Sequence, residues 1–177
     1  ELKATQIRES IIQMLTEAGS GHTAGPLGMA DIFTLLYFHV LKHDPKNPSW
    51  GERDRLVLSN GHIAPVLYAT MAHAGYMPLE ELKTLRKFGS RLQGHPHREY
   101  MPWLENSSGP LGSGLSQAVG MAISDKMDGR DKDRFIYHTG LAFNIGDDAN
   151  GEPNEMSLRP RSNLTKYFWV LNNSVGI

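Results

Sequence analysis

The chain has 177 residues, 40% of them hydrophobic and 21% charged, with a formal net charge of -1 and no cysteine. That length suits one ordinary domain with a real core, and the charge balance provides no clustered basic field for nucleic acid. Without cysteine, disulfides, thiolate catalysis and cysteine-held metals drop out together, so any metal must be held by oxygen or imidazole.

From Leu2 to Ala18 the apolar residues Ile7, Ile11, Met14, Leu15 and Ala18 recur at helical spacing, and Gly19 and Gly21 follow as stops. Glu1, Lys3, Arg8, Glu9 and Glu17 interrupt this stretch, which does not suit a signal-peptide core, and no later run is long enough to span a bilayer. A cytoplasmic location is the expectation. Ser20 to Gly28 reads as a loop holding His22 and Pro26, and the stretch from Met29 reads as a helix with a wide apolar face. Asp44, Pro45, Asn47 and Pro48 mark a turn-rich connection.

Residues 55–59, RLVLS, form a short apolar run ending in Asn60, Gly61 and His62, as expected of a buried strand that delivers polar groups at its carboxyl end. A helix is expected after His62, with Pro65 in its first turn and Gly75 near its end, and another from Pro78 to Phe88 with Gly89 as its stop. Gly89 to Ser113 has no period and is rich in turn residues, which favours a functional loop. Ser113 is placed to cap a helix whose apolar face is Leu115, Val119, Ala122, Ile123 and Met127. RFIY at 134–137 and YFWVL at 167–171 read as two more strands, so the alternation predicts an α/β fold with a mainly parallel sheet flanked by helices.

Three histidines adjoin glycine in loops: SGHTAGPLG around His22, LSNGHIAP around His62 and QGHPH around His95. Glycine lets backbone and imidazole approach a ligand together, and imidazole donates to phosphate or sugar oxygens or moves a proton near neutral pH. Each one alone reads more simply as a loop histidine bonded to backbone; three at successive element-to-loop junctions point to a site. His39, His43 and His73 read as helix-surface or helix-end residues, and His97 and His138 stay undecided. SGPLGSG at 108–114 opens a helix, so it is either an anion- or heterocycle-facing amide cluster or an ordinary glycine-rich turn. GDDANGEPNE at 146–155 and Asn173 offer oxygen ligands suited to a hard cation such as Mg²⁺, although DDANG by itself reads more simply as a polar turn.

Taken together, SGHTAGPLGMADI, ERDRLVLSNGHIAPVLYA, LQGHPH and SSGPLGSGLSQAVGMAIS closely resemble, in order, the motifs of the transketolase amino-terminal region. The resemblance covers Glu1 to about Tyr137. It implies a single diphosphate-binding module over 1–177, with thiamine diphosphate bound at a junction with the pyrimidine-binding domain of a second subunit. It implies that His62 contacts the diphosphate, that Gly109 and Leu111 border the thiazolium and aminopyrimidine, and that His22 and His95 act on the sugar substrate. The implied activity is transfer of a two-carbon ketol unit between ketose phosphate and aldose phosphate. The glutamate that helps generate the ylid would come from a carboxy-terminal partner subunit, and the active form would be a hetero- or homo-oligomer.

Residues 138–177 depart from that pattern, so the carboxyl end is expected to be atypical or incomplete. GDD followed by ANGE stands where the family has GDGE, so either Asp147 is the metal ligand beside Gly146 or Asn150 takes that place. Asn173, through its side chain, and Val175, through its carbonyl, match the second half of the motif for Mg²⁺ or Ca²⁺. Pro160 and the short stretch before Tyr167 argue against a full crossover helix, which parallel strands require. Two rival readings are another thiamine diphosphate enzyme, such as a deoxyxylulose phosphate synthase relative, and a non-catalytic remnant with a degraded metal site.

Overall fold

The computed structural model describes residues 1–130, 135–139 and 168–171. The chain divides into two compact units: residues 1–53 with 61–107, and residues 54–60 with 108–177.

The first unit is helical. Helix α1 (Leu2–Ala18) buries Ala4, Ile7, Ile11, Met14 and Leu15, the stripe that its spacing dictates. Gly19 ends it in the left-handed conformation at φ 61, its N–H donating to the Thr16 carbonyl. Helix α2 (Ala24–Leu35) starts inside the stretch expected to be loop, because Pro26 falls in the first turn, where no N–H is needed. A π-helical turn, Leu36–Val40, prolongs it. Helix α3 (Ala64–Ala74) is buried along nearly its whole length, with Pro65 in its first turn and Gly75 left-handed after it. Ile7, Ile11, Phe33, Leu36, Val66, Tyr68 and Met71 are core residues of this unit.

The helix expected from Pro78 to Phe88 is instead a 3-10 segment, Leu79–Thr84. Leu85 leaves the helical conformation at φ -47, ψ 126, and Arg86 is left-handed at φ 60. The Thr84 hydroxyl bonds the Glu81 carbonyl at 2.8 Å and the Ser90 hydroxyl at 2.7 Å, while the Arg86 N–H donates to the Leu92 carbonyl at 2.9 Å. These bonds close a compact loop in place of another helical turn.

In the second unit, β1 (Arg55–Leu58) pairs in parallel with β2 (Ile136–Thr139), Arg55 opposite Ile136 and Leu58 opposite Thr139. Strand β2 starts two residues later than the sequence suggests. Strand β3 (Phe168–Leu171) pairs with β2 antiparallel, so the described sheet is mixed, with order β1-β2-β3. An antiparallel β3 does not need the long crossover that a parallel one would. Helix α4 (Ser113–Met127) lies against β1 and β2, where Ala118 joins Val57 and Ile136 in a small core flanked by Met121 and Ala122. The two units thus give the α/β class expected.

Helix α4 departs from the expected face in part: Gly114, Ala118 and Asp125 are buried and Leu115 and Ala122 half-buried, while Val119, Ile123 and Met127 are 40%, 51% and 82% exposed. Small residues turn inward because the helix start lies directly on Ser59, where a Cβ on Gly114 would sit 2.6 Å from the Ser59 Oγ.

Candidate functional site

The first unit brings the glycine-flanked histidines together. After Gly19 reverses the chain, Gly21 takes φ 131, and a Cβ there would lie 2.5 Å from Leu15 Cδ2, so only glycine fits where the loop turns back over α1. His22 follows at once. His62 occupies the 3-10 turn Gly61–Ile63 that opens α3, and the His22 and His62 ring centroids are 5.0 Å apart with planes tilted 57°. Helix α2 closes on the same point, since a Cβ on Gly25 would stand 2.9 Å from Ile63 Cγ2 and 4.0 Å from His62 Nε2.

His62 is half-buried, whereas His22 and His95 are exposed. Burial, then the neighbouring charge of His22, then that of His95, hold the His62 imidazole below its ordinary basicity. The geometry therefore favours a neutral His62 near pH 7, with one ring nitrogen to donate and one to accept. Gly21, Gly61 and Gly94 directly precede His22, His62 and His95 in the chain, and Gly25 packs against the turn that carries His62.

The loop carrying His95 is stitched residue by residue. Tyr68, buried on α3, donates its hydroxyl to the Gln93 carbonyl at 2.8 Å. Leu92 is fully buried, and its N–H donates to the Ser90 hydroxyl at 3.0 Å. Arg91 pairs with Glu81 through two nitrogens and lies over the Trp103 ring at 4.8 Å. Sequence reasoning missed Tyr68 and Arg86 as supports of this loop. The only local signal was a tyrosine on an otherwise apolar helix face, whose hydroxyl needs a partner once buried.

The other histidines settle into structure. His43 Nε2 lies 2.7 Å from the Tyr37 carbonyl and therefore donates to it, which leaves Nδ1 to accept from the Tyr76 hydroxyl at 2.9 Å. His73 shares a hydrogen bond of 2.9 Å with Ser10. His97 rests against the Tyr100 ring at 4.8 Å. His138 on β2 is completely buried, neither ring nitrogen has a hydrogen-bond partner among the described residues, and burial lowers its basicity.

In the second unit, the end of β1 meets the start of α4. Gly114 N–H donates to Ser59 Oγ at 2.8 Å, Gly112 N–H to the Ser59 carbonyl at 3.3 Å, and the buried Ser108 hydroxyl to the Leu58 carbonyl. Thr139 Oγ1 approaches Asn60 Oδ1 at 3.5 Å. The cap of α4 is Gly112 at φ 85, and Ser113, expected there, is the first helical residue, its hydroxyl turned back to the Pro110 carbonyl at 2.9 Å. Gly109 and Leu111 are both exposed, and a Cβ on Gly109 would meet nothing within 4 Å. Gly146, Asp147, Asn150, Asn173 and Val175 lie outside the described residues. Among the described residues, no group of three or more His, Asp or Glu is placed to hold a metal ion, and no helix is long and apolar enough to cross a membrane.

Residues 1–145 match the family of the transketolase thiamine diphosphate-binding domain. Transketolase 1 of Escherichia coli K12 is 47% identical over 124 residues, which are 70% of this chain and 19% of that protein. The transketolase of Buchnera aphidicola is also 47% identical over 124 residues, with the same shares of the two chains. Among solved structures, transketolase from Leishmania mexicana superposes with a TM-score of 0.71 at 36% identity, covering 76% of this chain and 22% of that one. A Pichia stipitis transketolase in complex with sedoheptulose-7-phosphate gives 0.69 at 33% identity, covering 77% of this chain and 21% of that one. The chain thus spans about a fifth of the length of the curated relatives it matches.

Proposed function

The chain belongs to the transketolase family through its thiamine diphosphate-binding domain, and from that premise we propose that it forms the diphosphate-binding half of a transferase moving a two-carbon ketol unit between sugar phosphates. The observation that carries this reading is the convergence of His22 and His62, whose ring centroids lie 5.0 Å apart at the start of α3.

These residues fit the cofactor. A half-buried, neutral imidazole beside glycine backbone suits a diphosphate oxygen, because its N–H donates without adding a charge that must be desolvated. When bound, thiamine diphosphate supplies an electron sink for the two-carbon carbanion. His62 would donate to the diphosphate, and Gly109 and Leu111 would border the two rings. His22 and His95, exposed and free of crowding Cβ atoms on their glycine neighbours, hydrogen-bond substrate hydroxyls and carry protons to and from them. Mg²⁺ or Ca²⁺ would be held by Asp147, beside Gly146, or by Asn150, together with the Asn173 side chain and the Val175 carbonyl. The glutamate acting on the aminopyrimidine would come from the pyrimidine-binding domain of a partner subunit in the cytoplasm.

The test is a ketol-transfer assay with xylulose 5-phosphate and an aldose phosphate, with and without a separately expressed pyrimidine-binding portion of a transketolase. Transfer only in the presence of both chains is expected, with a loss of about 10²–10⁴-fold in His95→Ala, the usual worth of a positioned proton carrier. Robust turnover by this chain alone would refute the two-chain arrangement. Consumption of pyruvate in place of xylulose 5-phosphate would select the synthase reading.

A further inference from the structure

We infer that Tyr68 and Arg86 are positioning residues, a two-sided grip on residues 92–94 that holds His95, and with it His22, at His62. Arg86 is the one described non-glycine residue with positive φ, at 60, and that strained backbone aims its N–H at the Leu92 carbonyl, 2.9 Å away. Its side chain then passes along the next glycines: Cζ and Nε lie 3.5 Å from the position of a Cβ on Gly94, and Nη1 lies 3.9 Å from that of a Cβ on Gly21. A planar guanidinium therefore spans the residue before His95 and the residue before His22.

From the other side, the Tyr68 hydroxyl donates to the Gln93 carbonyl at 2.8 Å. Tyr68 belongs to α3, the helix that His62 opens, so the bond ties the His95 loop to the element carrying His62. Leu92 is thus bonded to the Arg86 backbone and Gln93 to the Tyr68 hydroxyl, while the Arg86 side chain passes beside Gly94. Neither residue touches the reacting groups; both act through where the imidazoles stand.

The proposal rests on the reading of the three histidines as one site, and its test uses neither cofactor nor substrate, so its failure is separable from failure of that reading. The full chain, with labelled histidines, is titrated by NMR and melted in parallel. Arg86→Gly removes the guanidinium while relieving the left-handed backbone, so its thermal midpoint holds or rises even though the side-chain grip is lost. Tyr68→Phe deletes only the hydroxyl. Arg86→Lys keeps the charge without the planar face.

His62 is depressed by burial and, after that, by His22 and His95, so release of their loops lets its midpoint climb toward the ordinary histidine value. All three variants are expected to show that climb. An unchanged His62 in Arg86→Gly and Tyr68→Phe overturns the proposal. A climb in only one of those two overturns the two-sided grip, and wild-type behaviour in Arg86→Lys reduces the effect of Arg86 to its charge and overturns its positioning role.

Discussion

Substitution of Gly25 by alanine separates tertiary packing from helix propensity by the sign of its effect. Gly25 lies in the first turn of α2, where alanine would ordinarily stabilise a helix by up to about 1 kcal/mol. The added Cβ would stand 2.9 Å from Ile63 Cγ2, and Ile63 is 1% exposed. Carbon atoms rest at about 3.5–4.0 Å, so the contact must open by roughly 0.6–1.1 Å. Ile63 is β-branched and has one favoured χ1 rotamer near a helix, so it yields by moving backbone, and His62 is the residue next to it. Overpacking of this kind costs about 1–3 kcal/mol. Set against the propensity gain, Gly25→Ala should destabilise by about 1 kcal/mol, a factor of about 5 in the folding equilibrium. Urea denaturation followed by far-ultraviolet circular dichroism measures it. In a cycle with Ile63→Ala the two losses should be sub-additive, because the truncated neighbour makes room for the new methyl. A Gly25→Ala variant more stable than the wild type by about the propensity difference would refute the close approach of α2 to the His62 turn.

Stability should also fall as pH drops from 8 to 5. His62, His73 and His138 are all less basic in the fold than in a free chain, chiefly through burial, so the unfolded state binds more protons in that interval. Their contribution is complete above the ordinary histidine value of about 6.5, is lost as pH falls through it, and levels off below the depressed native values. Urea midpoints across that range should show the decline, and His138→Leu should flatten it; a flat wild-type profile would contradict the assignment. Gly114→Ala should destabilise by about 1–3 kcal/mol, because its Cβ would lie 3.1 Å from the Ser59 Cα as well as 2.6 Å from Oγ. Adding Ser59→Ala should restore only part of that loss, which a thermal melt of the double variant checks. Tyr76→Phe should cost about 1 kcal/mol by removing the donor to His43 Nδ1 while keeping the stacked rings, and a denaturation midpoint unchanged from the wild type would count against that bond.

The parts of this molecule visible in its sequence are those set by local rules. The spacing of Ile7, Ile11 and Met14 fixed α1 and its buried stripe, and Pro65 with Gly75 marked both ends of α3. The three imidazoles stood out because each adjoins a glycine at the junction of an element and a loop. What stayed hidden depends on neighbours distant in the chain. Helix α4 turns Val119, Ile123 and Met127 outward because its first turn must lie on Ser59, a demand that no periodicity within the helix records. The 3-10 segment at Leu79–Thr84 replaces the expected helix because Ser90 and Leu92 claim hydrogen bonds from Thr84 and Arg86. Tyr68 and Arg86 carry no motif; their meaning comes only from the loop they hold. The oxygen ligands expected of Asp147, Asn173 and Val175 were legible as a pattern but fall outside the described residues.

The most direct trial of the central claim is calorimetric titration of thiamine diphosphate with Mg²⁺ into the full chain, in the presence of a pyrimidine-binding portion of a transketolase. Saturable binding is expected, weakened about tenfold or more in His62→Ala, since a hydrogen bond to a charged group is worth about 1.5–3 kcal/mol. Absence of binding by the wild type, or undiminished binding by His62→Ala, would contradict the account.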